Sequence, residues 1–276
     1  MIRRDYPFPD GKTLSLGERT LLMGILNVTP DSFYDGGRYL EPEAACKRVA
    51  ELVAEGADLI DVGAESTRPG ATPIDAAEEI ARLAPVVKRL LRECPLPISI
   101  DTYKWETAEA MAKLGVHIIN DVKGLQGDEG QMAQVVARCR LPAVIMHNAP
   151  LAGEQIASMQ NFFRKSIAMA KEAGADEANI ILDPGIGFQK SAEENFRVLN
   201  KLKEISRVDG KSYPLLLGVS NKSLFGALGL SRNERREATG AACVWGITQG
   251  AQILRVHDVA FMRPMALATD KIVGAS

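Results

Sequence analysis

The sequence predicts an α/β protein with the (β/α)8 TIM-barrel architecture and a short N-terminal hairpin. Short apolar runs rich in Ile, Leu and Val alternate with longer amphipathic stretches, a pattern typical of parallel strands joined by crossover helices. Eight such runs recur about every 33 residues, which is the length of one strand, one helix and two loops. The 276 residues include no linker-like or low-complexity stretch, so residues 1–276 are predicted to form a single domain.

The predicted elements alternate strictly along the chain. The eight strands are LLMGILNV (21–28), DLIDVGA (58–64), LPISID (96–101), VHIIND (116–121), PAVIMH (142–147), NIILDP (179–184), PLLLGVS (214–220) and QILRVHD (252–258). The helices between them are predicted over 42–57, 76–94, 105–115, 129–139, 159–175, 192–205 and 236–251. The alternating stretch TLSLGERT before the first run predicts a hairpin beneath the barrel. Eight units favour a barrel over a doubly wound sheet, which remains the alternative.

Composition excludes several classes of partner. The chain has 33 Lys and Arg against 35 Asp and Glu, a net charge of −2, so neither nucleic acid nor a membrane surface is an expected partner. No apolar run approaches the roughly 20 residues that span a bilayer, and the first residues lack the apolar core of a signal peptide. The four cysteines form no C-x-x-C pair and are interpreted as core thiols of a reduced, cytoplasmic protein.

Polar residues end every predicted strand, where the active site of such a barrel is built. The residues concerned are Asn27, Asp61 with Glu65, Asp101, Asn120 with Asp121, His147, Asp183, Ser220 with Lys222, and Arg255 with His257. Any one of them could cap the next helix, but capping does not account for Lys222, Arg255 and His257. His117 begins a strand and is interpreted as structural, whereas His147 is left open between ligand contact and a supporting role.

The loops after the first, second and sixth strands are rich in glycine and proline. NVTPDSFYDGG and ESTRPGATP are long enough to be lids over the end of the barrel where the strands finish, which we call the mouth. DPGIGF carries two glycines that would let the backbone approach a planar or anionic ligand, with Phe188 available for stacking. This last signal is weak, because a G-x-G occurs in many turns.

Eight sequence blocks follow one another along most of the chain. They are GILNVTPDSFYDGG (24–37), DVGAESTRPGA (61–71), ISIDTYK (98–104), IINDVKG (118–124), IMHN (145–148), ILDPGIGFQK (181–190), LLGVSNKS (216–223) and RVHDV (255–259). Together, in this order, they resemble the dihydropteroate synthases of folate biosynthesis. The resemblance implies a transferase that joins 6-hydroxymethyl-7,8-dihydropterin diphosphate to 4-aminobenzoate with Mg²⁺, releasing diphosphate. It also implies competitive inhibition by sulfonamides and a homodimer, for which the last helices, with Trp245 and Met262 expected to be exposed, could supply the interface.

The resemblance assigns residues to three subsites. The pterin residues implied are Asp101, Asn120, Met146, Asp183, Phe188 and Lys222. The diphosphate residues are Asn27, Thr67, Arg68, Arg255 and His257, with Asn27 also implied as the Mg²⁺ ligand. The 4-aminobenzoate residues are Phe33, Thr67, Pro69, Phe188 and Ser223. The catalytic set is Asp35, Arg68, Lys222, Arg255 and His257, with Asp35 positioning the amine or the metal.

The assigned roles suit the chemistry. A buried carboxylate at Asp183 matches the two N–H donors on the edge of a dihydropterin, and Lys222 can donate to the opposite edge. Cationic donors stabilise the leaving diphosphate, so the aryl amine attacks a methylene cation and no protein nucleophile is needed.

Four positions depart from the family pattern. They are Tyr34, Gln189, Asn221 and Leu224, which the resemblance places around the 4-aminobenzoate side and the first loop. Two alternatives are weighed against the synthase. One is a pterin-barrel methyltransferase using methyltetrahydrofolate, which should lack the diphosphate residues, and the other is a non-catalytic pterin-binding protein.

Overall fold

The chain begins with an antiparallel hairpin and continues into a parallel barrel. The computed structural model describes residues 2–28, 42–65, 73–220, 222–231 and 234–274, without the side chain of Ser223. The hairpin pairs β1 (Arg4–Pro7) with β2 (Thr13–Leu16). The barrel strands are β3 (Leu21–Asn27), β4 (Leu59–Gly63), β5 (Ile98–Asp101), β6 (Ile118–Asp121), β7 (Ala143–Met146), β8 (Ile180–Asp183), β11 (Leu216–Leu217) and β12 (Ile253–Val256). Every strand prediction is confirmed.

The barrel strands neighbour one another in chain order. The hydrogen-bonded order is β11-β12-β3-β4-β5-β6-β7-β8, with all pairs parallel. A parallel bridge between Leu182 and Leu215 joins β8 to the residue before β11 and closes the ring. This closure excludes the doubly wound sheet and confirms the (β/α)8 barrel.

Helices follow the strands as the amphipathic pattern predicts. They are α1 (Pro42–Ala54), α2 (Ala76–Glu93), α3 (Trp105–Leu114), α4 (Gln131–Cys139), α5 (Gln155–Glu172), α6 (Ala192–Asn200), α7 (Leu202–Ile205), α8 (Arg235–Thr248) and α9 (Val259–Val273). The prediction of one helix over 192–205 is wrong, because Lys201, with φ −121°, separates α6 from α7. A two-residue hairpin of β9 (Arg207–Val208) and β10 (Lys211–Ser212) then precedes β11. Within the described residues, no helix is long and apolar enough to cross a bilayer.

The predicted hairpin closes the amino-terminal end of the barrel. Its apolar side chains join one cluster with the inward residues of the strand starts. The cluster consists of Tyr6, Phe8, Leu14, Leu16, Leu21, Met23, Leu59, Ile118, Val144, Ile181, Leu216 and Ile253. Its burial removes the lower half of the barrel from water, so solvent and ligands reach the interior from the opposite, carboxyl end.

His117 is structural, as predicted. Its Nδ1 accepts a hydrogen bond from the Ile98 amide at 2.9 Å, and its Nε2 lies 3.0 Å from the Asp10 carboxylate in the hairpin turn. The Phe8 ring packs edge-on against the imidazole, with ring centroids 4.7 Å apart. This histidine therefore fastens the hairpin to the barrel, at the end opposite the mouth.

The four cysteines are free thiols, as predicted. Burial raises the pKa of each of them, and it raises the pKa of Cys243 to about 12. None of these thiols therefore has the lowered pKa that marks a reactive cysteine.

Candidate active site

Strand alternation places a layer of mostly polar residues above the apolar cluster that the hairpin covers. Successive side chains of a strand point to opposite faces, so the later inward positions, towards the carboxyl end of each strand, lie nearer the mouth. These positions are Asn27, Asp61, Asp101, Asn120, Met146, Asp183 and Arg255. All of these residues except Asp61 were predicted to bind ligand, and the fold brings them to one layer.

Arg255 is the centre of this layer. Its Nε donates to Asp61 Oδ2 and its Nη2 donates to Asp101 Oδ2, both at 2.6 Å. The Asn120 side-chain amide donates to the same Asp61 oxygen at 3.0 Å. Burial opposes the charge on the guanidinium, but the two carboxylates outweigh burial and raise the pKa of Arg255 further above its usual value. The cation is therefore permanent and held in one orientation.

The carboxylates around Arg255 differ in their surroundings. Burial, reinforced by the charge of Asp61, raises the pKa of Asp101 to about 7 although Arg255 lies beside it. Asp61 is completely buried, and its Oδ1 has no hydrogen-bond partner among the described residues. Sequence reasoning noted Asp61 at a strand end but gave it no role, because only the folded barrel shows that it orients Arg255.

Asp183 and Lys222 form the other half of the mouth. Asp183 is 5% exposed, and its Oδ1 accepts a hydrogen bond from the Gly185 amide at 2.7 Å. Burial raises the pKa of Asp183 to about 6, while burial and Arg255 lower the pKa of Lys222 to about 8. The Lys222 ammonium lies 4.1 Å from the centroid of the Phe188 ring, a cation–π contact. A carboxylate, an ammonium and an aromatic face therefore line the same side of the mouth.

The glycines of DPGIGF approach the protein itself, which corrects the expectation that they approach a ligand. Gly185 has φ +65°, and a Cβ there would lie 2.0 Å from the His147 carbonyl oxygen. Gly187 has φ +82°, and a Cβ there would lie 3.0 Å from Cδ of Lys222. Glycine is therefore required here for close packing of the turn against β7 and against the Lys222 stem.

His257 and His147 both follow barrel strands, but their side chains have different surroundings. The Ser220 hydroxyl lies 2.9 Å from His257 Nδ1 and accepts the His257 backbone N–H at 3.3 Å, so it fixes that imidazole. His147 is buried outside the barrel ring, with its ring centroid 4.7 Å from that of Phe162 in α5. Burial lowers the pKa of His147 to about 3. His147 is thus a neutral residue packed against α5, and neither of its ring nitrogens has a hydrogen-bond partner among the described residues.

Several predicted residues cannot be placed. Phe33, Asp35, Thr67, Arg68, Pro69 and the side chain of Ser223 lie outside the described residues. The departures at Tyr34 and Asn221 lie there too, whereas Leu224 is buried in the core. Lys222 precedes a short 3-10 helix, Ser223–Leu228, rather than an α-helix.

Comparison with known proteins agrees with this layout. Residues 23–257 match the family model described as pterin binding enzyme. The chain is 46% identical to the dihydropteroate synthase of Bacillus subtilis over 263 residues, covering 94% of this chain and 91% of that protein. It is 44% identical to the dihydropteroate synthase of Clostridium beijerinckii, covering 95% of this chain and 97% of that protein. The chain belongs to the dihydropteroate synthase family. The predictions of a transferase and of dihydropteroate synthase activity are thereby confirmed.

Solved dihydropteroate synthases share the fold. The enzyme from Clostridium difficile, solved in the presence of pteroic acid, superposes with a TM-score of 0.87 at 46% identity, covering 93% of this chain and 98% of that one. The enzyme from Xanthomonas albilineans in complex with 7,8-dihydropteroate gives 0.85 at 36% identity, covering 97% and 98%. The similarity therefore extends over almost the whole barrel.

The turn after β8 generates a stability prediction. Gln189 has φ +49°, a left-handed conformation that costs a non-glycine residue roughly 1–2 kcal/mol. Gln189→Gly relieves this strain, but glycine makes the unfolded chain more flexible and so raises the entropic cost of folding by roughly 0.5–1 kcal/mol. We therefore expect a net gain of about 0.5–1 kcal/mol in the free energy of unfolding. Urea denaturation measures it.

The same substitution in a helix provides the control. Gln134 is exposed within α4, where Gln→Gly is expected to lower the free energy of unfolding by roughly 0.5–1 kcal/mol. A loss of stability at both positions would contradict the strain assigned to Gln189.

Proposed function

We propose that the chain condenses 6-hydroxymethyl-7,8-dihydropterin diphosphate with 4-aminobenzoate at this mouth, giving 7,8-dihydropteroate and diphosphate. The observation that carries the proposal is the placement of the buried Asp183 carboxylate beside the charges of Lys222 and Arg255. A flat heterocycle with donors on one edge and acceptors on the other suits Asp183 and Lys222, and an anionic leaving group suits Arg255. The dihydropteroate bound by the Xanthomonas albilineans enzyme supports the same ligand here.

The pterin would be held edge-on by Asp183 and face-on by Phe188. Asp183 Oδ1 already accepts the Gly185 amide, whereas its Oδ2 makes no hydrogen bond within the described residues. An ionised carboxylate can accept two parallel N–H bonds from a guanidine-like edge. Asn120, Asp101 and Met146 would complete the walls of the pterin subsite.

Arg255 would act on the diphosphate. Two of its nitrogens are held by Asp61 and Asp101, and Nη1 makes no hydrogen bond to the described residues. A cation fixed before the substrate binds needs no reorganisation as negative charge grows on the departing oxygen, so it stabilises the transition state more than the ground state. We infer that His257 and Arg68 serve the same group.

The carbon centre would react by dissociation. The C–O bond breaks with its electron pair on the diphosphate, leaving a methylene cation conjugated with the dihydropterin ring. The aryl amine donates its lone pair to this carbon, and the resulting ammonium then releases a proton to water. Asp35 is the candidate for positioning the amine, and no side chain forms a covalent bond with the substrate.

The protein offers few ligands for Mg²⁺ at this site. Asn27 ends β3 at the mouth and offers a carboxamide oxygen, the hard ligand that Mg²⁺ prefers. The described residues contain no group of three or more His, Cys, Asp or Glu side chains that could hold a metal, so the protein part of the site would be Asn27 with few companions. Mg²⁺ often binds through few protein ligands and the phosphates of its substrate. When bound, the ion would neutralise part of the diphosphate charge.

The second substrate would lie against Phe188 in a pocket completed by Phe33, Thr67, Pro69 and Ser223. A Xanthomonas albilineans dihydropteroate synthase, 39% identical to this chain, was solved with 4-aminobenzoic acid, and the Yersinia pestis enzyme, 33% identical, with a sulfonamide drug. We infer that sulfonamides compete with 4-aminobenzoate here as well.

The reaction is tested with both substrates and Mg²⁺, following diphosphate and dihydropteroate together. Equal amounts of both products, lost on chelation and restored by Mg²⁺, would support the synthase and the metal. Pterin binding without either product would favour a non-catalytic binder. Methyl transfer from methyltetrahydrofolate would favour the pterin-barrel methyltransferase.

Asp183→Ala tests the pterin edge. Removing a buried carboxylate that accepts two N–H bonds should cost on the order of 2–4 kcal/mol of pterin binding, measured by titration calorimetry. Asp5→Ala, at an exposed carboxylate of the hairpin, is the matched control and should leave the affinity unchanged. Equal affinity in the two variants would overturn the proposed orientation.

The charges of the mouth predict a pH profile for kcat/KM with respect to the pterin. Protonation of Asp101 and Asp183, with pKa values of about 7 and about 6, should reduce kcat/KM as the pH falls. Deprotonation of Lys222, whose pKa is about 8, should reduce it as the pH rises, so the maximum should lie between about 7 and 8. Lys222→Arg should shift part of the alkaline loss of kcat/KM to higher pH because its guanidinium stays charged, whereas the buried Lys190, whose pKa is also about 8, still titrates. A flat profile from pH 5 to 9 would refute these assignments.

We also propose a homodimer formed through the last two helices. In the described part of the chain, every large, exposed apolar side chain lies beyond residue 227, and Trp245, Leu267 and Ile272 are on α8 and α9. Met262 is buried and does not belong to this surface, which corrects the expectation from sequence. Sedimentation should give a mass of twice 29.9 kDa, and Leu267→Glu should shift this mass towards that of the monomer.

We also infer a reducing, cytoplasmic location, which the free thiols support.

A further inference from the structure

Lys190 uses its whole side-chain ammonium to bind backbone. Nζ donates to the carbonyl oxygens of His147 at 3.2 Å, Gly185 at 3.0 Å and Phe188 at 3.1 Å. An ammonium has three N–H donors, so all of them are used and none is left for a substrate. His147 directly follows β7, whereas Gly185 and Phe188 belong to the turn after β8, so one side chain joins the ends of two neighbouring strands.

The turn after β8 has an unusual backbone that includes one strained residue. Gly185, Gly187 and Gln189 all have positive φ, which glycine adopts freely but which is unfavourable for Gln189. Asn195 of α6 accepts the Gly187 amide at 2.7 Å and donates to the Lys190 carbonyl at 3.2 Å. Lys190 and Asn195 therefore both hold the turn through hydrogen bonds from their side chains to its backbone.

The turn carries the aromatic wall of the pterin subsite. The Phe188 carbonyl is bound by Lys190, and the Phe188 ring contacts the ammonium of Lys222. The Gly185 amide binds the Asp183 carboxylate, and the Gly185 carbonyl is bound by Lys190. A shift of this turn would therefore displace both the ring and the amide that orients Asp183.

The charges of Lys190 and Asp183 also stabilise each other. The charge of Lys190 favours the ionised form of Asp183, and Asp183 in turn favours the charge of Lys190. Burial lowers the pKa of Lys190 to about 8, so the ammonium is largely protonated at neutral pH.

We propose that Lys190 is a positioning residue for the pterin subsite, which sets the place of Phe188 and the orientation of Asp183 by tying the turn after β8 to the end of β7. The proposal rests on the proposed function, since it assigns Lys190 to the pterin side of that reaction. Lys190 itself contacts neither substrate.

Lys190→Ala tests the proposal in steady-state kinetics. We expect KM for the pterin diphosphate to rise about tenfold, the typical effect of losing hydrogen bonds to a charged group, while kcat at saturation stays within about threefold. Lys165→Ala removes an exposed lysine of α5 and should change neither value. Thermal unfolding of each variant records any general loss of stability separately.

Chemical rescue distinguishes positioning from a general effect on the fold. Propylammonium has the atoms that Lys190→Ala removes and should restore the KM for the pterin, whereas tetramethylammonium at the same concentration has no N–H donor and should not. Lys190→Met retains a long apolar stem that fills the space. It should show the raised KM without rescue, and it remains available should the alanine variant fail to fold.

The outcomes are separable from those of the proposed function. A wild-type protein that forms no dihydropteroate refutes the proposed function itself. A wild-type protein that is active, together with variants whose KM for the pterin stays within twofold, overturns the role of Lys190 alone. A lowered unfolding temperature with unchanged KM, or rescue by both cations equally, also overturns it.

Discussion

The ion pairs of Arg255 with Asp61 and Asp101 are the constraint on which the polar end of the barrel depends. Burying a guanidinium and two carboxylates costs desolvation energy that their attraction only partly offsets, so an apolar layer would give equal or greater stability. The gain is orientation, because a guanidinium held at Nε and Nη2 can present only its remaining edge. Removing Arg255 would leave two buried carboxylates together, and the layer could not persist unchanged.

Burial of the apolar half of the barrel offsets the desolvation cost of this charged layer. Strand ends at the amino side contribute Met23, Leu59, Ile181 and Ile253 to one cluster, and the hairpin covers it with Tyr6 and Leu16. Stability is thus concentrated at one end and chemistry at the other, since inward positions change from apolar to polar within two residues in β4, β6, β8 and β12. The hairpin is part of this division rather than an addition to it.

Sequence reasoning predicted the parts of the structure that depend on local pattern. The strands, their order and the polar strand ends follow from periodicity, which is why Asp101, Asn120, Asp183 and Arg255 were found. Pairings between distant residues leave no such pattern. Neither the Asp61–Arg255 contact, 194 positions apart, nor the direction of His147 could be obtained without the register of the barrel. The residues of the first two loops were predicted from resemblance alone.

The turn after β8 explains why a motif can be noticed and still misinterpreted. Its glycines are needed because His147 and Lys222 lie too close for a Cβ, and its third positive φ is carried by Gln189. The free-energy cost of this strained residue must be offset by other contacts, and the hydrogen bonds of the Lys190 and Asn195 side chains to the turn supply them. The proposed pterin wall at Phe188 is therefore held in place by side chains outside that wall, and a search restricted to strand ends does not find them.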